Sequence, residues 1–552
     1  RFGRGASSGG LALPLSVEGA CLSQLDAMEP AEREFLKCAA VYGRTFWVEA
    51  VSALGGDDAV VEPLRDADVI QPRRRSRLTP AREFQFRVSL LAEAVYALLP
   101  DEVRARLHAQ AAAWLTGREG AAPDELARHW DLAGRREQAA QSYADAAALA
   151  ASLGDAETAL AHAARVLERT ETPLLRWRAL AAQDDALQFR PDLDLRRRGV
   201  EAMDALAPAL TLGHRTETAW RRCYLARVTG DTARALAFGQ HARELAGELG
   251  DPRWIASVDV EMAYLHAAGG RHEAAREVAL EACARADAAG DAWLGARALS
   301  AQAYVRAEAG ELAESQRVFV RAAEEFKRQG DRRREALNHG NAASVMLTIG
   351  RVDEAAQEME AAIEAAGRVG NLPTVATSTH NLGVARRMLG DFDAAEAMQE
   401  RAEALAAELK HARLACHVAI ERVYLALASG RAPDACIALA EAALGRAREV
   451  RSPAIVASAL ASALRACARA GSDVTARVAE ARTVADALTA PEPRAELRVA
   501  IWEAGGRAED DRVAARAAIE AVAAGLDEAD DRSASRAAFS ARYLVPGDWS
   551  RG

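Results

Sequence analysis

The run HEAAR, His272 to Arg276, stops one residue short of a zinc-binding helix signature. Two histidines at i and i+4 would place both imidazoles on one helix face, but here the second position is an arginine, which cannot bind the metal. A helix-surface histidine is the simpler reading. The pairs His266/His272 and His411/His417 are six apart, a spacing that does not share one helix face. Lysine occurs only at Lys37, Lys327 and Lys410, preceded by Leu36, Phe326 and Leu409, so the glycine–lysine step of a phosphate-cradling P-loop is absent. There is no Gly-x-Ser-x-Gly nucleophile elbow either. No catalytic, cofactor-binding or metal-ligating residue is assigned, and this chain is not expected to be an enzyme.

One run is strongly cationic. PRRRSRLTPAR, Pro72 to Arg82, carries Arg73, Arg74, Arg75, Arg77 and Arg82 with no acid among them. Such a turn fits contact with phosphate, of DNA or of a bound nucleotide. It equally fits a solvated hairpin or a contact to an acidic neighbouring domain. Acid–arginine pairs elsewhere read as surface ion pairs.

The elements that must position these groups are helical. The 552 residues are 50% hydrophobic but only 5% aromatic, with alanine supplying much of the apolar content. Alanine has the highest helix propensity and permits close helix approach. A net charge of -10 gives no general attraction to nucleic acid or to membranes, and nucleic acid is not an expected partner. No apolar run is long enough for a membrane span and no signal peptide opens the chain, so a cytoplasmic protein is expected. The seven scattered cysteines, Cys21, Cys38, Cys223, Cys283, Cys416, Cys436 and Cys467, contain no C-x-x-C pair and read as reduced thiols packed as small apolar residues. The first residue is Arg1, which reads as the start of a piece of a longer chain.

Glycine sets the period. Gly230, Gly270, Gly310, Gly350, Gly390 and Gly430 are 40 apart, and Gly250, Gly290, Gly330 and Gly370 lie halfway between. Asp231, Asp251, Asp291, Asp331, Asn371 and Asp391 follow their glycines directly. Glycine closes a helix in the left-handed conformation, and Asp or Asn accepts from the free N–H groups of the next. Each half-repeat therefore predicts a helix of about 17 residues, about 25 Å long. Small residues mark the contacts within each pair: Ala235, Ala275, Ala355, Ala395 and Ala435 five after the glycine, and Ala242, Ala282, Ala322, Ala362, Ala402 and Ala442 twelve after. Cys223, Ala263, Ala303, Ala343 and Gly383 lie seven before.

The stretch HNLGVARRMLGDFDAAEAMQERA, His380 to Ala402, resembles a tetratricopeptide repeat (TPR). Leu382-Gly383, Gly390, Ala395 and Ala402 fall where that motif has its Leu-Gly, turn glycine and two alanines. HEAT-type helical pairs are the alternative. In tetratricopeptide geometry the position six before each glycine faces the concave groove. Tyr224, Tyr264, Tyr304 and Tyr424 occupy it, with Ser344 and Val384 between. One turn earlier come Arg221, Glu261, Ala301, Asn341, Asn381 and Glu421. This stripe is a candidate binding surface, since tyrosine brings area and a hydroxyl at low entropic cost. Packing between adjacent repeats is the competing reading.

Residues before Thr116 lack the period. Three short helices are expected over Leu13–Leu54, one opened by Pro30 and ended by Gly43, then a helix at 57–68. Short β-prone pieces at Val69–Gln71 and Glu83–Phe86 flank the basic turn, and helices follow at 89–98 and 102–115. The segments LSQLDAM, LKCAAVYGRTF, FQFRVSLLAEAVYALLP and RLHAQAAAWL resemble, in order, the winged helix that follows the nucleotide-binding core of bacterial signal-transduction ATPases with numerous domains, the STAND class. ARHWDLAGRREQAAQSYADAA resembles that family's transition into tetratricopeptide-like helices. The family often has Phe-Arg-His after the wing; here Phe86-Arg87-Val88 offers no histidine to a nucleotide phosphate.

The expectation is an all-α chain with an N-terminal winged-helix-like domain and an α-solenoid of helical pairs of about 40 residues. Residues 1–16 form a linker from a missing upstream domain, 17–118 the winged-helix-like domain, 119–545 the repeats, with a closing helix over Ser533–Pro546, and 546–552 a tail. The resemblance implies a regulatory half of a signalling ATPase. ATP or ADP would bind in the upstream domain and none in this chain, and the solenoid would bind a protein partner or inducer. The alternatives are a stand-alone scaffold, a DNA-binding transcriptional regulator, or the regulatory part of a Ser/Thr protein kinase or adenylate cyclase chain.

Overall fold

At the turn MLGD the predicted chemistry is visible atom by atom. Gly390 has φ 82°, and its N–H bonds back to the Arg387 carbonyl at 3.0 Å. The Asp391 N–H reaches the Arg386 carbonyl at 2.9 Å, which completes the paired bonds of a glycine-closed helix end. Asp391 Oδ1 then accepts from the Ala394 N–H at 3.2 Å and starts the next helix. Asp231, Asp251, Asp291, Asp331 and Asn371 cap their helices in the same way. At the next half-period the glycine is replaced by Lys410, still at φ 49°, and His411 Nδ1 takes the capping role by accepting from the Leu414 N–H at 3.2 Å.

The computed structural model describes residues 23–188, 192–450, 452–488, 490–505, 508–523, 536–537 and 539–543. The expected linker at 1–16, the tail at 546–552 and Cys21 lie outside them, as does part of the expected closing helix. Two compact units emerge, Arg1–Ala186 and Leu187–Gly552.

In the first unit, α1 (Pro30–Tyr42) begins on its proline and ends at Gly43. It leads into β1 (Thr45–Trp47), α2 (Val48–Ala53), a 3-10 turn at Asp58–Val60 and α3 (Val61–Asp66). Then come β2 (Ile70–Pro72), β3 (Glu83–Phe86), α4 (Ser89–Ala97) and α5 (Asp101–Leu115). The three strands form an antiparallel sheet in the order β1-β3-β2, with Phe46 opposite Phe84 and Ile70 opposite Phe86. β1 corrects the sequence expectation, which placed only helices before residue 57. A three-residue strand shows no alternation, and its pairing to β3 is non-local. Phe35, Phe46, Trp47 and Phe86 are fully buried around the sheet. The unit continues with α6 (Pro123–Leu132), α7 (Arg136–Ser152), α8 (Ala156–Arg169) and α9 (Pro173–Leu187).

The second unit begins with α10 (Leu193–Leu206). The regular pairs follow: α11 (Leu212–Val228) with α12 (Thr232–Leu249), α13 (Pro252–Ala268) with α14 (His272–Ala288), and α15 (Ala292–Glu308) with α16 (Leu312–Arg328). They continue with α17 (Arg332–Thr348) and α18 (Val352–Arg368), then α19 (Leu372–Met388) and α20 (Phe392–Glu408). α21 (Ala412–Ala428) and α22 (Pro433–Val450) precede the last four helices. These are α23 (Pro453–Arg469), α24 (Thr475–Ala487), α25 (Pro491–Ala504) and α26 (Glu509–Ala523). From α11 to α23 every helix is 17 or 18 residues long.

Ala235, Ala275, Ala355 and Ala395 are fully buried, as are Cys223, Ala263, Ala303 and Ala343 across from them. Two alanines depart from the expectation: Ala435 and Ala442 are exposed, while Cys436 and Ala443 take the buried places one residue later. The helix there starts at Pro433, after one extra turn residue, which also accounts for the 41-residue step from Gly430 to Gly471.

Candidate functional site

The first helices of most pairs pack directly on one another along the row, α11 on α13, α13 on α15, then α17 on α19 and onward through α25, with the weakest step between α15 and α17; the second helices do so far less. Closer spacing on one side curves the row inward there, so the first helices line the concave face. The expected stripe lies on these helices.

Near its beginning the stripe forms one bonded cluster. The Glu261 carboxylate is buried and accepts from Arg227 Nε at 2.6 Å and from Arg297 Nη2 at 2.7 Å. The two arginines come from α11 and α15, one pair to either side. Burial is the largest single influence on the Arg227 charge and works against it, but Glu261 together with Tyr224 and Tyr264 holds the guanidinium above its usual range. Arg297, more deeply buried, is pushed the other way by desolvation. The Arg227 guanidinium also lies over the Tyr264 ring at 4.5 Å and the Tyr224 ring at 5.2 Å. The rings of Tyr264 and Tyr304 are 5.2 Å apart, and the Tyr264 hydroxyl donates to Ser300 Oγ at 3.3 Å. Burial raises the pKa of Tyr264 and of Tyr304, so both remain hydroxyl donors. Arg221 is buried and pairs within its own helix to Glu217 at 2.8 Å.

In the middle of the row the stripe is uncharged. Asn381 donates to Ser344 Oγ at 2.8 Å, Ala301 is fully buried and Asn341 is partly exposed. Gly383 leaves room beside it for the buried Gln399 amide, which donates to the His380 carbonyl and accepts from His380 Nδ1, both at 2.9 Å.

Further along, the pattern of the first cluster returns. Arg387 on α19 pairs with Glu421 on α21, both nearly inaccessible. Tyr424, 1% exposed, donates its hydroxyl to Glu496 and accepts from Arg465 Nη1 at 2.9 Å. Arg465 Nε also reaches Glu503 at 2.8 Å, and Ser458 donates to Glu496. Burial raises the Glu496 pKa. Tyr224, Tyr264, Tyr304 and Tyr424 thus sit between neighbouring pairs, Tyr424 wholly covered and the other three partly open.

Sequence reasoning missed the arginines that organise both clusters. Arg227 and Arg387 each stand three before their glycine, and each meets a glutamate 34 residues on. That repeated offset was a usable signal.

In the first unit three arginines of the basic turn have acidic partners. Arg73 pairs with Glu83 at 3.1 Å, Arg77 with Glu125 at 2.5 Å, and Arg82 with Glu49 at 2.9 Å and Asp58 at 3.4 Å. Glu83 directly follows the run and the other acids come from elsewhere in the fold, so the run's lack of acids did not leave these three unpaired. Arg74 and Arg75 are exposed. In the HEAAR helix, Arg276 pairs with Glu311. Among the described residues no cluster of metal-ligating side chains forms, and no helix is long and apolar enough to cross a membrane.

Comparison with known proteins places repeats of one class here. Residues 335–408, from within α17 to the end of α20, match the tetratricopeptide repeat family model. The chain carries tetratricopeptide-type helical repeats. No curated protein sequence matches it. Among solved structures, it is similar to a signal transduction ATPase with numerous domains carrying a tetratricopeptide repeat sensor, from Pyrococcus horikoshii, at 11% identity and TM-score 0.42 over 84% of this chain. The chain spans 64% of that protein's length. It is also similar to a Rap protein complexed with Competence and Sporulation Factor (12% identity, TM-score 0.48, 69% of this chain and 99% of that one). A third is the apo form of the quorum sensor NprR from B. thuringiensis (11%, TM-score 0.44, 63% and 99%).

Proposed function

We propose that this chain is the regulatory, non-catalytic part of a STAND-type signalling ATPase, with the second unit as a sensor that binds a protein or peptide partner on its concave face. Residues 17–118 act as a winged-helix-like module that couples an upstream nucleotide-binding domain to the repeats at 119–545. Partner binding shifts the whole protein between a resting and an active state, to the extent that the partner binds one state more tightly than the other. The observation that carries the sensor reading is the concave cluster of Arg227, Glu261, Tyr264 and Tyr304, where buried charge is present although alanine suffices at Ala267, Ala301 and Ala307 in the same row. Stacking alone does not call for buried ion pairs, which are commonly no more stabilising than apolar residues of the same volume.

The gene itself tests the parentage. A Walker A motif within about 300 residues upstream of Arg1, one to two domains' length, is expected. A start codon directly before Arg1 would leave a stand-alone tetratricopeptide scaffold, and ATP turnover by this chain alone would refute the non-catalytic reading. Tyr264→Ala/Tyr304→Ala should weaken a partner that uses the concave face without unfolding the chain. The DNA-binding reading is disfavoured by the pairing of Arg73, Arg77 and Arg82 with acids. It would require salt-dependent affinity that Arg74→Ala/Arg75→Ala removes.

A further inference from the structure

Phe539, Arg542 and Tyr543 stand at i, i+3 and i+4 of the helical stretch 539–543, and so share one face. A helix that only closed the row would cover its last pair. This one does so, with Arg536 paired to Glu520 on α26 at 3.4 Å, and it also reaches back across the concave face. Arg387 on α19 donates from Nη2 to the Arg542 carbonyl at 2.6 Å and from Nη1 to the Ala541 carbonyl at 3.3 Å. The Tyr543 ring packs edge-on to Tyr424 of α21, centroids 5.8 Å apart. The Tyr543 hydroxyl and Arg542 Nη1 both donate to one Glu492 oxygen on α25, each at 2.9 Å. Phe539 is 5% exposed and lies in a crevice with Leu347 and Val522.

We propose that the concave face from α17 to α25 is a helix-binding site, that the chain's own residues 539–543 are its resident occupant, and that a partner helix with an aromatic residue, an arginine three places on and a second aromatic next to it takes the same place. This rests on the reading of the concave face as a partner surface and names the partner's chemistry. Two features make the occupant exchangeable. Arg387 holds the segment by main-chain oxygens, which any helix can present at its C-terminal end. Its side chain is 1% exposed and retains Glu421 when the segment leaves, so no buried charge is stranded. Selectivity comes from the side chains, with Glu492 reading the arginine and the tyrosine hydroxyl together. Glu492 and Arg542 remain 30% and 24% exposed, so a competitor can enter at that edge.

The test uses the full chain and a fluorescent peptide of the sequence Ser533–Pro546. Phe539→Asp/Tyr543→Asp expels the resident segment, and this chain should bind the peptide saturably, at least ten-fold more tightly than the unaltered chain. Adding Arg387→Ala should weaken binding ten-fold or more. Circular dichroism melting establishes that each variant is folded. If the double variant melts early, Arg542→Glu, which reverses the charge facing Glu492, replaces it. Equal binding by released and unaltered chains, or binding indifferent to Arg387→Ala, overturns the proposal. So does concentration-dependent dimerisation of the released chain in sedimentation, because the occupant is then a second copy. Failure here leaves the broader sensor reading intact, since that is tested at Tyr264 and Tyr304, outside the peptide's footprint.

Discussion

Lys410 holds φ at 49°, where a side chain crowds its own backbone, in a turn that uses glycine at Gly370, Gly390 and Gly430. Among the described residues it pairs only with Asp194, at 3.8 Å between exposed groups, which contributes little. Lys410→Gly should therefore stabilise the second unit by about 0.5–1 kcal/mol, the relief of left-handed strain less the extra freedom of glycine when unfolded. A rise in the urea midpoint at constant slope checks this, and a fall would show that the lysine packs usefully. A second residue-scale case is the imidazole pair in the first unit. His108 Nδ1 and His129 Nδ1 are 2.8 Å apart, and His108 Nε2 is 2.8 Å from the Tyr96 hydroxyl. One ring must donate and the other accept, so the pair cannot bear both extra protons. Burial, and then the nearby Arg128 charge, push His108 down to about 4 and His129 further. An unfolded histidine titrates near 6.5, so between that value and about 4 the unfolded chain binds more protons. The stability is fully present above pH 6.5 and is lost as pH falls through that window. The acid limb of a melting-temperature profile should be shallower in His129→Asn; an unchanged slope would remove this pair from the account.

At the scale of helices, the ends were legible from local residues, whereas the ties between pairs showed only as a repeated 34-residue offset from arginine to glutamate. Glycine and Asp act through bonds within a few residues, so Gly390 and Asp391 announce a turn wherever they stand. Glu261 draws its partners from 34 residues before and 36 after, and nothing local marks it as buried. The slip at Ala435 shows the same limit: a single added residue at the turn moved the buried face to Cys436, although the 41-residue glycine step recorded it. β1 escaped notice because its partners are 36 to 40 residues away, Thr45 opposite Gln85 and Trp47 opposite Glu83, in a pairing that no periodicity encodes. The energetic consequence of a tie is measurable. Glu261→Ala leaves Arg227 and Arg297 facing each other without an acid, and should cost about 3 kcal/mol. Glu314→Ala, which removes an exposed pair with Arg317, should cost under about 1 kcal/mol. Comparable losses for the two in denaturant titrations would mean that the Glu261 cluster is solvated in solution.

Across the second unit, each pair is stabilised chiefly by its neighbours, as in other stacked repeats, so a local fault should spread only a short way. Gly383 provides the fault. A Cβ there would lie 2.3 Å from Gln399 Nε2 and 3.2 Å from Met398 Cβ, within the packed contact of α19 and α20. Gly383→Ala should destabilise that pair by about 1–3 kcal/mol, the usual cost of overpacking. Gly367, helical and exposed with nothing within 4 Å, is the control, and Gly367→Ala should be neutral or stabilising. In hydrogen exchange, Gly383→Ala should lower protection in α17 to α22 and leave α11 and α12 unchanged. Protection should also fall at residues 539–543, far off in sequence, because Arg387 on the loosened helix holds their carbonyl oxygens. That distant response separates two pictures of the unit. A purely nearest-neighbour row gives decay along the chain and no effect at 539–543, whereas a unit unfolding as one block loses protection everywhere equally. Loss confined to the neighbours of α19 together with 539–543 is the pattern that the Arg387 tie requires.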